Sequence, residues 1–133
     1  MMFTRRNTYS GQTIDEYIAA QADAITHEVA EETHLSSIIY DGRNRFGLAG
    51  EELADFVRRT TLALLESGAK PIFFAHGPDY DWAVQHQYGE HPNEIVRTMI
   101  AEWQASGKDP SHFSDSDLCF IVPNGPNNKF VKL

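Results

Sequence analysis

The chain between residues 76 and 91 concentrates side chains that can carry out acid–base or metal chemistry. It contains half of the six histidines, next to acidic and aromatic residues. The members of this candidate pocket are His76, Asp79, Tyr80, Asp81, Trp82, His86 and His91. An imidazole beside a carboxylate can act as a general base or bind a metal ion. Polar groups that follow the end of a strand are also typical of binding pockets.

No known catalytic spacing is matched in this segment, so a structural interpretation stands beside the functional one. In that alternative, Trp82, Val84 and Tyr88 belong to the core and the histidines are partly exposed positions of a sheet. Apolar or aromatic residues alternate with polar ones over 80–88, which favours a strand that pairs with 71–76 as a hairpin. A loop is the alternative for the same residues.

A second candidate is a metal site on the first predicted helix. At about 100° per residue, His27, Glu31 and His34 lie within about 60° of one another on a helix. Two imidazoles and a carboxylate can bind a divalent ion such as zinc. The alternative is a solvated acidic face on which acids and histidines pair at a spacing of four.

Two further features of the sequence, a segment rich in Gly and Arg and the single cysteine, could also carry chemistry. Glycines and two arginines between Gly42 and Gly50 precede a predicted helix and could hold an anion. The P-loop and dinucleotide spacings are absent there, and a hairpin turn is the alternative. Cys119 lies in an apolar run, which is typical of a buried thiol that is not activated.

The first helix is predicted over residues 14–33. Thr13 and Glu16 form a capping-box pattern in front of it, and apolar residues then recur at spacings of three or four. Residues 12–34 carry a charge of −6 and contain no Lys or Arg. The helix would therefore present an acidic face opposite its apolar stripe.

Two more helices are predicted over 51–67 and 92–106. Gly68 suits the left-handed residue that follows the end of a helix, and Pro71 stops its continuation. Pro92 suits the first turn of the other helix, where no backbone N–H is needed.

Short apolar runs beside turn residues predict the strands. They are 36–40, 45–48, 72–75, 80–88, 118–122 and an edge strand that could form over 129–133. The first two would form a hairpin through the turn residues 41–44. The elements together predict an α+β fold, with a mostly antiparallel sheet of four to six short strands packed against two or three helices.

Length and charge narrow the class of protein. The 133 residues predict a single domain, 1–133, whose N-terminus (1–11) and C-terminal tail (123–133) could be flexible. Neither a membrane span nor a signal peptide is expected. The net charge of −8 argues against generic nucleic-acid binding, because phosphate neutralisation needs clustered Lys and Arg. With one cysteine, no intrachain disulfide can form, and we expect a soluble protein in a reducing, cytoplasmic compartment.

Three functional hypotheses follow. The leading one is a binding or regulatory module that acts through a protein partner or a small ligand, with the acidic helix steering a basic partner. The alternative is a small metal-dependent or acid/base enzyme that uses residues 76–91. A homo-oligomer subunit is the third, because exposed Trp and Tyr are also favoured in interfaces. No cofactor is specified by these residues.

Overall fold

Helices and strands both build this chain, which confirms the α+β class. A computed structural model describes residues 6–26, 33–74, 82–84, 88–106, 118–122 and 131–132. The elements in those ranges are α1 (Ile14–Ala24), β1 (Thr33–His34), α2 (Leu35–Asn44), α3 (Gly50–Glu66), β2 (Lys70–Phe74), β3 (Trp82–Val84), α4 (Pro92–Ser106), β4 (Leu118–Ile121) and β5 (Val131–Lys132). These four helices exceed the predicted two or three, because residues 35–44 are helical.

The sheet has its antiparallel centre in β4, β2 and β3. Across the described residues the strand order is β1-β4-β2-β3-β5. Ile72 of β2 lies opposite Cys119 of β4 on one side and Val84 of β3 on the other. At the two edges, β1 runs antiparallel to β4 and β5 runs parallel to β3.

The predicted strand over 80–88 is confirmed in its centre. Trp82–Val84 form β3 and pair antiparallel with β2, as the hairpin prediction required. Tyr88 lies in a short 3₁₀ turn, and the rest of the segment falls outside the described residues. β5 (Val131–Lys132) lies within the edge strand predicted over 129–133, whose other residues fall outside the described ranges.

α3 lies at the centre of the helices and contacts α1, α2 and α4. It agrees closely with the predicted helix over 51–67. Its C-terminus is a Schellman motif in which the Gly68 N–H donates to the Leu65 carbonyl (3.0 Å) and the Ala69 N–H to the Leu64 carbonyl (3.1 Å). Gly68 has the predicted left-handed conformation, with φ of +102°.

Two buried threonines on α3 keep their hydroxyl groups satisfied. Thr60 and Thr61 are fully buried. Their hydroxyls donate to the carbonyls of Phe56 and Val57, each at 2.8 Å. A buried hydroxyl without a partner would be costly. Because these bonds satisfy the hydroxyls, both threonines can lie on the buried face of α3.

The predicted hairpin of strands 36–40 and 45–48 is wrong, because the chain forms α2 there. Ile38, Ile39 and Tyr40 favour a strand by residue type, but intrinsic strand preference is weak against tertiary burial. The buried residues of α2 have helical spacing: Leu35, Ile38, Ile39 and Gly42. The predicted turn residues 41–44 are instead the last turn of this helix.

Gly42 brings α2 close to α3. A Cβ atom at this position would lie 2.6 Å from Leu53 Cδ1 and 2.8 Å from Phe56 Cδ1. Both distances are far below ordinary van der Waals contact. The glycine therefore serves helix packing and not a turn.

α1 begins as predicted. The Thr13 hydroxyl accepts a bond from the Glu16 N–H, and the Glu16 carboxylate accepts one from the Thr13 N–H, each at 3.1 Å. These two bonds form the capping box, and the bond from the Thr13 N–H to the carboxylate lowers the pKa of Glu16.

α1 ends at Ala24, so the predicted helix over 14–33 is wrong at residues 25, 26 and 33, whereas residues 27–32 lie outside the described residues. The N–H and the hydroxyl of Thr26 both donate to the Asp23 carbonyl, at 3.1 and 2.7 Å. They occupy that carbonyl with bonds from only three residues ahead, which tightens and closes the last turn. Thr33 and His34 then form β1 and pair with β4.

The sequence predicts that residues 1–11 could be flexible, but part of this region folds as a turn. Asn7 is buried, and its side-chain oxygen accepts bonds from the N–H groups of Tyr9 and Ser10. The Thr8 N–H donates to the Arg45 carbonyl at 2.8 Å. This turn therefore lies against the end of α2.

α4 has the predicted bounds, Pro92–Ser106. Ile95, Val96 and Met99 are buried, and Ile100 and Trp103 pack partly buried against the same core. In the described part of the chain, no helix has the length and apolar character that crossing a bilayer would need.

Candidate functional site

The candidate pocket over 76–91 is described at two of its seven residues. Trp82 is in β3, opposite Phe74 of β2. His91 is exposed at the start of α4, where its carbonyl accepts the Ile95 N–H at 2.9 Å. His76, Asp79, Tyr80, Asp81 and His86 lie outside the described residues. Their convergence, and with it the enzyme hypothesis, stays a prediction.

The predicted metal site requires His34 to lie on the first helix, and this is wrong. This residue is in β1, whereas His27 and Glu31 lie outside the described residues. No group of three metal-binding side chains occurs within the described ranges. The His34 ring approaches Cys119, with Nδ1 and Sγ 3.2 Å apart. Cys119 is buried, as predicted, and His34 is half-buried on the edge strand β1.

The glycine- and arginine-rich segment over 42–50 uses one of its arginines inside the fold. Arg45 Nε donates to Asp41 Oδ1 at 2.9 Å, and its guanidinium carbon lies 5.5 Å from the Tyr9 ring centroid. The other oxygen of the same carboxylate accepts the Tyr17 hydroxyl at 2.6 Å. Burial, and then this bond to Asp41, raise the pKa of Tyr17 well above its usual range.

A shallow depression adjoins this cluster on α2. It has a volume of about 280 Å³ and is lined by Ser36, Ser37, Tyr40 and Asp41. Both oxygens of Asp41 already accept bonds from Tyr17 and Arg45. The carboxylate therefore holds α1 and α2 together and is a poor candidate for chemistry.

A groove between α3 and α4 is the better candidate for a binding site. Its volume is about 590 Å³. It is lined by Arg58, Leu62, Asn93, Val96, Arg97, Ile100, Ala101 and Gln104. We call this surface the α3–α4 groove. The six residues from α4 recur every three or four positions, which places them along one side of that helix. From Asn93 to Gln104 the stripe is about 16 Å long, at 1.5 Å per residue.

The floor of the α3–α4 groove is apolar. Val96 is buried, while Leu62 and Ile100 are only partly buried and still reach solvent. α3 and α4 are in contact, and these residues line the groove between them. Apolar surface left in this way can be covered by a ligand, at a gain of about 25 cal/mol per Å² removed from water.

The walls of the α3–α4 groove are cationic. Arg58 and Arg97 stand on opposite sides, and both are exposed. Arg58 forms an ion pair with Asp55, one turn back on α3, and both side chains are about half exposed. Within the described ranges, Arg97 has no ion-pair partner. None of the described lining residues is acidic, although the whole chain carries −8.

The sequence motifs do not predict this site, although the helical apolar pattern includes part of its floor. Val96 and Ile100 belong to the apolar residues that recur at helical spacing over 92–106, and Leu62 lies beside the corresponding residues of 51–67. Arg97 lies directly beside that stripe, and this adjacency of a cation to apolar positions was the available signal. The packing of α3 against α4 decides which apolar side chains stay uncovered, and this packing is a property of the tertiary structure.

No protein-family model matches the chain, and comparisons with curated proteins and with solved structures found no significant match. Function is therefore inferred from the geometry alone.

Proposed function

We propose that this protein is a binding module and that it acts through a protein partner seated in the α3–α4 groove. One observation carries the proposal: an elongated apolar floor lies between two guanidinium groups on an acidic protein. Arg is among the residues that are enriched in interfaces and in their hot spots.

The shape of the groove favours a protein over a compact small ligand. The α4 stripe from Asn93 to Gln104 extends over about three turns, and an extended surface of this kind suits a partner segment. A compact ligand would be held by groups that converge around it. Arg58 and Arg97 instead stand on opposite helices, with Leu62 and Ile100 between them.

Site-specific photocrosslinking tests the proposal on the full chain. Benzoylphenylalanine replaces Ala101, an exposed residue of the groove, or Ala19, an exposed residue of α1 that serves as the matched control. Each protein is irradiated in an extract of the cells that produce it. Crosslinked proteins are identified by mass spectrometry and then purified for affinity measurements.

The proposal expects one protein to crosslink from position 101 and not from position 19. Its affinity for the otherwise unmodified chain should fall at least about tenfold in Arg97→Glu, because a groove cation is replaced by an anion. Equal crosslinking from both positions, or an affinity that Arg97→Glu leaves unchanged, would remove the α3–α4 groove as the binding surface.

A further inference from the structure

We infer that the segment bound in the α3–α4 groove is a short amphipathic helix with acidic side chains, docked along α4 with carboxylates at Arg58 and Arg97. This inference rests on the proposed function and names the chemistry of its partner. The periodicity of the lining, its apolar floor and its charge each contribute to it.

The lining repeats with the period of a helix. Each successive turn of α4 contributes one or two residues to the lining, at positions 93, 96–97, 100–101 and 104. A second helix that lies beside α4 meets such a stripe with its own residues at i, i+3 or i+4, and i+7. About eleven residues of that helix would cover the length of the stripe.

The apolar floor sets what the inner side of the bound helix must be. Leu62 and Ile100 are partly buried, and Val96 lies beneath them. Two or three aliphatic or aromatic side chains of the partner would complete their burial. The same partner needs a polar outer face, because the floor is narrow and is bordered by Asn93 and Gln104.

The charge of the groove selects acids at the flanks of the bound helix. A carboxylate can form paired hydrogen bonds with a guanidinium group, which adds orientation to the attraction. Arg97 has no acidic partner within the described residues, and the Arg58–Asp55 pair is exposed and so is worth at most about 1 kcal/mol. Both cations can therefore engage a new carboxylate.

The net charge of −8 does not overrule this local preference. At physiological ionic strength, charges separated by more than about 8 Å are largely screened. Within that distance Asp55 pairs with Arg58, and none of the described residues that line the groove is acidic. A nucleic acid is disfavoured, since two arginines are too few to neutralise a phosphate backbone.

A peptide selection tests the inference. A display library of 16-residue peptides carries fixed alanines that favour helix formation, with all other positions randomised. It is selected in parallel on the full wild-type chain, on Arg97→Glu and on Lys70→Glu. Lys70 is an exposed residue of β2 outside the groove, so its reversal is matched in charge.

The expected result is an enrichment of peptides with apolar residues at i, i+3 or i+4 and i+7, flanked by Asp or Glu. Their Kd should rise at least about tenfold on Arg97→Glu and stay within about twofold on Lys70→Glu. Arg97→Glu should instead enrich peptides that carry Lys or Arg. The same peptides should protect Leu62 and Ile100 from solvent in NMR exchange experiments.

Four results would overturn the inference. In the first two, the enriched peptides show no acidic excess, or they bind Arg97→Glu and wild type equally. Decanoate could bind at Arg97 while no peptide is enriched, which would assign the groove to a small anionic amphiphile. The free chain could form dimers that Arg97→Glu dissociates, which would make a second copy the occupant.

The two proposals fail separately. If photocrosslinking from position 101 identifies an Arg97-dependent partner while the library shows no acidic preference, only the acidic-helix inference is lost. If position 101 crosslinks no more than position 19, both are lost.

Discussion

Tyr17, Asp41 and Arg45 form a polar cluster that joins α1 to α2. The carboxylate accepts the phenol hydroxyl at 2.6 Å and the guanidinium N–H at 2.9 Å, so each oxygen has a donor. The Tyr17 ring also packs against Phe46 and Phe56, with centroids 5.5 and 5.2 Å away. A charge that is satisfied in this manner contributes to stability and is not free for catalysis.

Tyr17→Phe should lower the free energy of unfolding by about 1–2 kcal/mol, because Asp41 loses one buried donor while the ring packing is kept. Urea denaturation measures the change. Tyr9→Phe is the control, since Tyr9 is 78% exposed and should change stability by less than about 0.5 kcal/mol. Equal effects of the two substitutions would contradict the assigned role of the cluster.

The raised pKa of Tyr88 predicts that the protein loses stability at alkaline pH. Burial, followed by the charge of Glu102, raises the pKa of Tyr88 to about 12. In the unfolded chain the phenol has a pKa near 10. Between these values the unfolded state loses the proton and the folded state keeps it, so stability falls as pH rises.

Urea unfolding between pH 9 and about 11.5 measures that loss. Tyr88→Phe should flatten it, because the group that titrates in the unfolded chain is gone. The flattening should be partial, since Tyr17 has a raised pKa and titrates in the same direction. An identical slope in wild type and Tyr88→Phe would show that Tyr88 contributes nothing to the pH dependence.

At the level of elements, the predicted helices agree best with the structure where several independent sequence signals coincide. α3 and α4 combine a long apolar stripe with a terminal Gly or Pro, and both have nearly the predicted bounds. α2 is short, and its Ile38, Ile39 and Tyr40 also fit a strand. A short apolar run cannot separate the two by periodicity alone. Tertiary burial of α2 against α3 decides the outcome.

Gly42→Ala should destabilise the protein by about 1 kcal/mol or more. Alanine improves helix propensity by up to about 1 kcal/mol, but overpacking a core costs about 1–3 kcal/mol. The new methyl group would overlap Leu53 and Phe56, and Phe56 is 1% exposed and has no room to move. Thermal unfolding measures the effect.

The matched control for this substitution is Ser37→Ala on the exposed side of α2. It gains helix propensity without meeting a neighbour, and it should leave stability unchanged or slightly higher. A Gly42→Ala protein as stable as Ser37→Ala would mean that α2 and α3 can separate without cost.

At the scale of the whole molecule, two acids of the segment that is predicted to steer a basic partner have partners within the fold. Residues 12–34 were expected to offer their −6 to a basic partner. In α1, however, Asp15 forms an ion pair with Arg59 of α3, and Glu16 caps its own helix. The Asp15–Arg59 pair is exposed and so contributes at most about 1 kcal/mol. Steering of a basic partner stays a prediction, and the α3–α4 groove supplies a second, cationic surface.

The affinity of the crosslinked partner for Ala101→Glu and for Thr98→Glu tests the central claim most directly. Both residues are exposed on α4 and both changes add one acid, but only Ala101 lines the α3–α4 groove. Ala101→Glu should raise the Kd at least about tenfold, because it puts an acid where an acidic helix docks. Thr98→Glu should stay within about twofold of wild type. A Kd that changes equally in the two variants, or in neither, would contradict a partner bound in this groove.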